Sequence, residues 1–547
     1  MCSLLFVIVL TGTSANEAAD TGHSPVWKGE DVTEYDKGGI KITPDDWRYA
    51  TLRRGFNPRW SSEPDYIRLV RNPGEVVYAL RAALREPQDW TRSRITVRSG
   101  GHCYEDFVCS PDVRVILDVG LMNGIYYDPD MEAVCIESGA SNWDVTEKLV
   151  KKLGLLLPGG SCNTVGAGGH ITGGGFGLFS RQHGLTVDYL YGVEVAVVTG
   201  RGEVRLVTAT ADDEGDLGDL FWAHTGGGGG NFGVVTRFWF RGLPKAPSGY
   251  IRVEAGWRWA DFLPDGYDDF KRVVTRFGEF FRDHQDEDDE YAALFGILQL
   301  TPSNNEKIGL LAQMDADIPG AEDRVWEFVR SLDDEIGPFL VDRTEVTGEH
   351  PVLTASREPV HVDWEKLSQV PILSNNEAGK YKSAYLRRPL PERQIQALWN
   401  GLTNPPDGVT KAVMQIDSYG SAINRSEVET AMAQRDSIMK MQHQVYWPSD
   451  TDGTTHIAWI RDLYARMYGS AANPVVPGVP VPDDDTDGCY INYPDVDLSD
   501  PAWNRSDYTW AELYYKEHYP RLQRAKARWD PMNVFNHQQS IDLPTDD

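Results

Sequence analysis

Two glycine-rich loops constrain this chain more than any other feature. One reads Arg98-Ser99-Gly100-Gly101-His102; the other reads Gly159-Gly160-Ser161-Cys162-Asn163-Thr164-Val165-Gly166. Lacking a Cβ, glycine lets a backbone approach a flat or phosphorylated ligand and adopt positive φ. Successive amides in such loops form concave anion sites. Each loop also carries a nucleophile, the imidazole of His102 and the thiol of Cys162. Two nucleophiles beside two such loops point to a flavin tethered twice. Gly173-Gly174-Gly175 and the run Gly226 to Gly230 offer further close approaches.

With 547 residues the chain is too long for one simple core, and two domains are expected. The net charge of −29 repels phosphate backbones, so no nucleic-acid partner is expected. No metal site is expected either. The run Leu4 to Leu10 followed by small residues suggests a secretory signal over 1–20, although a basic start is missing. That run is too short to span a bilayer, and no membrane association is expected. Asn424-Arg425-Ser426 and Asn504-Arg505-Ser506 are sequons that accept N-glycans on export. With Cys2 lost on processing and Cys162 assigned to the ligand, Cys103, Cys109, Cys135 and Cys489 remain, and three pairings stay open.

Strand-like and helix-like segments alternate from about 64 to 245. Val113 to Leu117, Val193 to Val198 and Val234 to Phe240 read as strands, and Trp143 to Leu153 reads as an amphipathic helix. Gly242-Leu243-Pro244-Lys245-Ala246-Pro247 marks a joint. Beyond it, acidic helical segments at 267–285 and 321–335 interleave with strand-like Leu294 to Leu298 and Ala412 to Ile416. This suits an α+β arrangement with an antiparallel sheet covered by helices.

Four stretches together carry a family resemblance: RSGGHCYEDF (98–107), the run from Pro158 to Ala196, WAHTGGGGGNFGVVT (222–236) and YYKEHYPRLQRAKARWDPMNVFNHQQSI (514–541). The chain resembles the berberine-bridge-enzyme-like branch of the vanillyl-alcohol-oxidase flavoproteins. It looks most like microbial members that oxidise sugars and polyketide or glycopeptide hydroxyls. The likeness is weakest between about 250 and 410. It implies a two-domain PCMH-type fold, with an FAD-binding domain at 45–245, a substrate domain at 246–500 and a C-terminal segment at 501–547 completing the first.

The same resemblance implies FAD bonded to His102 at its 8α position and to Cys162 at C6. It also implies cofactor contacts from Arg98, Ser99, Gly100, Gly101, Gly160, Gly166, Gly168, Gly169, His170, Gly174, Gly233, Val235 and Asn536. Val165 falls at the family's oxygen-gate position, where a small residue fits an oxidase. The segment Cys489 to Asp495 resembles the active-site strand, with Tyr493 facing the flavin. Tyr419 is the expected second active-site hydroxyl, and Asp417 is its local rival. Gln442, or Gln444 on a two-residue slip, stands where cyclising plant relatives carry a Glu base; an amide cannot take that role.

A tyrosine is a poor base at neutral pH unless a second hydroxyl or a cation stabilises its phenolate. The expected function is therefore a secreted FAD oxidase. It takes hydride from a saccharide or secondary-metabolite alcohol, with Tyr493 removing the proton and O2 reduced to H2O2. A dehydrogenase with another acceptor and a non-catalytic flavin-loaded protein are the alternatives. Trp257, Trp259, Trp399 and Trp447 are candidates for sugar stacking.

Overall fold

The computed structural model describes residues 37–86, 93–305, 307–334, 360–362 and 377–545, so the expected signal segment at 1–20 lies outside the described residues. Among the described residues there are three sheets and a set of packed helices, an α+β architecture. No helix among them is long and apolar enough to cross a membrane.

The four-stranded sheet runs Ile40–Ile42, Tyr66–Leu69, Val113–Asp118, Arg94–Arg98. Its first pair is antiparallel and the other two are parallel. The helix Pro73–Arg85 covers it, starting at Asn72, whose side chain accepts from the Glu75 amide at 3.0 Å. Pro73 suits the first turn because its missing N–H has no intrahelical acceptor there. Val76, Ala79, Leu80 and Ala83, at helical spacing, are all fully buried. Next to it stands a five-stranded antiparallel sheet ordered Ile125–Asp128, Ala133–Glu137, Val234–Phe240, Leu190–Val198, Val204–Thr210.

The third sheet has seven antiparallel strands, ordered Val360–Val362, Tyr250–Arg258, Lys307–Asp315, Phe295–Leu300, Ala412–Ser418, Met439–Pro448 and Glu377–Leu386. Alternation splits its faces. Leu298, Leu300, Met414, Ile416, Met441 and Val445 are buried on one face. The helices Tyr267–Asp283, Ala321–Asp334, Glu392–Thr403 and Thr454–Met467 pack on that side and on one another. In Tyr267–Asp283, Phe270, Val273, Val274, Phe277 and Phe281 form the apolar stripe, and Phe277 and Phe281 press on Gly296 of the sheet. Truncating a fully buried phenylalanine such as Phe277 costs about 3–5 kcal/mol. The opposite face carries Gln299, Gln415, Asp417, Lys440, Gln442 and Gln444, and this polar face builds the site.

The C-terminal helix Tyr519–Trp529 returns to the helix Gly215–Ala223. There Arg521 pairs with Asp219 and Trp529 Nε1 donates to the Asp216 carbonyl at 2.9 Å. Buried Lys526 donates to the carbonyls of Asn231 and Phe535 at 2.8 and 2.6 Å, fixing the end of the Gly226–Gly230 run.

Candidate active site

The two glycine loops interlock. A Cβ on Gly100 would run into the Gly166 amide and the Thr164 carbonyl; one on Gly166 would run into Ser99 Oγ and the Gly100 amide. This close approach brings His102 against the loop that carries Cys162. His102 Nε2 lies 2.8 Å from Thr164 Oγ1, and its ring stacks on Phe56 at 4.4 Å. Burial pushes His102 down to about 4, which leaves a neutral imidazole. The Cys162 carbonyl accepts from Asn142 Nδ2 at 2.9 Å, and the Gly160 amide donates to His170 Nε2 at 2.8 Å. The His170 carbonyl in turn accepts from Asn492 Nδ2 at 3.0 Å, tying this loop to the segment that carries Tyr493.

The surroundings fit FAD. Nothing lies within 4 Å of where a Cβ on Gly169 would stand, and Gly169, Gly229 and Gly230 are exposed. Asn163 Oδ1, beside Cys162, is buried with no protein hydrogen bond. Open glycine backbone suits a pyrophosphate and a flat ring, and the orphaned acceptor suits a donor on the same ligand such as a ribityl hydroxyl.

Tyr493 lies in a tight turn rather than the expected strand: its amide donates to the Tyr490 carbonyl at 2.9 Å. Pro494 cannot donate to a ladder, and Asp495 is held by lysines instead. The Tyr493 hydroxyl accepts from Lys440 Nζ at 3.2 Å. Lys440 faces Asp417 across two strands, with Nζ 3.3 Å from Asp417 Oδ2, while Gln415 Nε2 donates to Asp417 Oδ1 at 2.7 Å. The lysine is fully buried, 3.9 Å from the Phe176 ring centre and 4.4 Å from that of Tyr493. Burial pulls it down to about 8, against the pull of Asp417 upwards. Tyr493 is pushed well above 10 by burial, with neighbouring Tyr104 and Asp417 adding to the rise.

Tyr104 completes the cluster. It stacks on Tyr381 at 3.7 Å and on Tyr493 at 5.6 Å, and its hydroxyl accepts from Gln442 Nε2 at 2.8 Å. Gln444 Oε1 accepts from the Tyr446 hydroxyl at 2.5 Å. Gln299, Gln415 and Gln442 stand directly opposite one another on three adjacent strands and so share a face.

Several expected positions lie elsewhere. Tyr419 is fully buried, packed against Phe176 and Tyr385, and its hydroxyl donates to the Gln434 carbonyl at 3.0 Å. The hydroxyl stacked beside Tyr493 is that of Tyr104. Trp257, Trp259, Trp399 and Trp447 are core residues, at most 9% exposed, so none is an exposed stacking platform. The Arg98 side chain is held by Asp118 and the Arg54 carbonyl, and Ser99 Oγ donates to the Ser138 carbonyl. Gly101 has φ +72, and Gly168 donates its amide to Ser138. Gly174 packs against Met432, and Gly233 makes room for Val195, which pairs with Val235. Asn536 is tied to Asn533 and Arg94. Val165 closes the turn begun at Cys162.

Cys103, Cys109, Cys135 and Cys489 are unpaired thiols, so none of the three disulfide patterns forms. Both sequon amides are engaged, Asn424 Nδ2 to Ser437 O and Asn504 Nδ2 to Leu498 O and Tyr508 O. A glycan replaces one of the two amide hydrogens, so at Asn504, which donates twice, one of those bonds must break. Lys440, Tyr104 and Tyr381 escaped the sequence reading, although Lys440-Met441-Gln442-His443-Gln444 is an alternating run that places Lys440 beside Gln442 on one face.

This glycine cradle, with a tyrosine and a lysine set on a facing antiparallel sheet, is the site of an FAD-linked oxidoreductase. The chain belongs to the berberine-bridge-enzyme-like FAD-linked oxidases. Residues 64–208 match the FAD binding domain family and 489–542 the family described as berberine and berberine like. Aclacinomycin-N/aclacinomycin-A oxidase of Streptomyces galilaeus is 37% identical over 92% of this chain and 90% of its own length. Hexose oxidase of Chondrus crispus is 36% identical over 91% and 94%. Among solved structures, a glycopeptide hexose oxidase complexed with teicoplanin superposes with a TM-score of 0.82 at 39% identity, covering 92% of this chain and 98% of that one.

Proposed function

We propose that the chain oxidises a sugar hydroxyl, free or carried on a larger metabolite, with FAD bonded to His102 and Cys162. The observation that carries this reading is the Lys440–Tyr493 hydrogen bond beside a row of glutamines. Bound FAD supplies the two-electron acceptor for the carbinol hydride and passes the electrons to O2 as H2O2.

The chain's own residues handle the proton. Tyr493 and Lys440 act as one titrating pair. As pH rises through about 8 Lys440 becomes neutral and can take the Tyr493 phenol proton, so that the Tyr493 oxygen accepts the one that leaves the substrate hydroxyl. The Lys440 ammonium opposes the burial that raises Tyr493, and Asp417 holds the ammonium in place. Gln299, Gln415 and Gln442 offer both donors and acceptors on one flat face, the chemistry that a polyol needs. His102 is neutral and therefore nucleophilic, and it adjoins the loop of Cys162; this supports the double bond to the cofactor. Val165, with its small side chain, supports oxygen as acceptor. The apolar run Leu4 to Leu10 supports export.

The test is anaerobic bleaching of the flavin by oligosaccharides and, separately, by hydroxylated aromatic compounds, followed by peroxide release on admitting air. Sugars are expected to bleach the flavin and peroxide to appear. Bleaching by the aromatic pool alone overturns the substrate class. For the linkage, colour is expected to stay with acid-precipitated protein and to be lost only when both His102→Ala and Cys162→Ala are present.

A further inference from the structure

Behind the tyrosines lies a cluster of charged side chains cut off from water. Lys380 Nζ donates to Glu105 Oε1 and to Asp495 Oδ1, both at 2.6 Å. Lys382 Nζ donates to Asp495 Oδ2 at 2.7 Å and lies 2.8 Å from Asp497 Oδ2. Arg461 reaches Asp497 from the rim at 2.6 Å. The side chains of Glu105, Lys380, Lys382, Asp495 and Asp497 are each at most 2% exposed.

Such burial is costly, and apolar replacements of buried ion pairs are often neutral or stabilising. Stability alone is therefore a weak reason for the cluster. Its placement gives a better one. Glu105 follows Tyr104, Lys380 and Lys382 flank Tyr381, and Asp495 stands two residues after Tyr493. Strand alternation sends Tyr381 to the site and both lysines to the back. Three segments remote in sequence thus meet twice: in front as the stacked rings of Tyr104, Tyr381 and Tyr493, and behind as the ion cluster. Asp495 is fixed at every polar group, since its amide donates to the Tyr514 hydroxyl and its carbonyl accepts from Gln539.

We propose that Lys380 is a positioning residue, which by bridging Glu105 and Asp495 holds Tyr104 and Tyr493 in register and keeps the Tyr493 hydroxyl within reach of Lys440. This rests on Tyr493 acting as the proton acceptor. A displacement of about 1 Å at such a group costs on the order of a hundredfold in rate.

The experiment is a double-mutant cycle between Lys380→Met and Tyr493→Phe on the flavin-loaded protein. Flavin content, melting temperature and near-ultraviolet circular dichroism in the tyrosine band are recorded alongside kcat and KM. Lys380→Met is expected to keep its flavin, to alter the tyrosine dichroism and to lower kcat about ten- to a hundredfold with little change in KM. Lys380→Arg is expected to restore part of the rate. In the Tyr493→Phe background, Lys380→Met is expected to add nothing. Equal losses in both backgrounds, or a change in melting temperature alone, overturn the proposal. If Lys380→Met does not fold, Glu105→Gln, which keeps the shape and an acceptor oxygen, takes its place under the same criteria. Tyr493→Phe with undiminished turnover would instead sink the underlying reading of Tyr493.

Discussion

The Lys440 ammonium donates to the Tyr493 hydroxyl across 3.2 Å and stands 4.4 Å from the centre of the same ring. A cation so close to a phenol lowers the cost of removing its proton. With Lys440 near 8, it is neutral above that pH and can take the phenol proton to become that cation, so kcat/KM should rise with pH to a plateau above about 8. Lys440→Met should displace that rise to higher pH and lower the rate at pH 7 by about 10²–10⁴-fold, the usual contribution of a positioned acid–base group. Steady-state profiles of the two proteins, run from pH 5 to 10, check this.

Gly166 has no room for a methyl group, because Ser99 and the Gly100 backbone occupy the position a Cβ would take. Gly166→Ala should therefore force the two loops apart. Flavin absorbance per mole of purified protein is expected to fall sharply, with a melting temperature several degrees lower. Exposed Gly200→Ala, where the one atom within 4 Å is Pro531 Cγ at 3.7 Å, serves as the control and should leave flavin content and melting temperature almost unchanged.

Burial pulls His443 down to about 3; it is fully enclosed, against Met414 and Tyr468. His224, also buried, is pulled down to about 4 by the same cause. In the unfolded chain each titrates near 6.5, so below that pH the unfolded state binds protons that the folded state refuses. The stabilisation is complete above 6.5 and drains away as pH falls toward 4. Each such imidazole contributes a slope of about 1.4 kcal/mol per pH unit in that window. Urea unfolding at pH 7, 6 and 5 should show the decline, and His443→Leu should reduce it by one imidazole's share, leaving that of His224.

Much of the scaffold was readable because its signals are local. The spacing of Phe270, Val273, Val274, Phe277 and Phe281 marks a helix stripe, and the glycines around His102 and Cys162 mark loops that must approach closely. The segment at Tyr493 misled because a short run with alternating residues resembles a strand; Pro494 cannot join a ladder, and buried lysines grip Asp495 beyond the bend. Tyr419 misled for a related reason. Its neighbour Asp417 does point to the site, but the two hydroxyl partners differ: Tyr419 reaches inward to Gln434, while Tyr104, brought in from near His102, stacks on Tyr493. Lys440 was hidden because a lysine in a strand reads as a solvated position. Its burial depends on Asp417 across the register and on rings from two other segments, Phe176 from one and Tyr490 and Tyr493 from the other.

The most direct test of the central claim is the rate of anaerobic flavin reduction by an oligosaccharide in stopped flow, comparing the unaltered protein with Tyr493→Phe at equal flavin content. Tyr493→Phe should remain yellow and be reduced at least about a hundredfold more slowly, because the proton then has no acceptor at the Tyr493 oxygen. Equal reduction rates in the two proteins would contradict the assignment of proton removal to Tyr493 and Lys440.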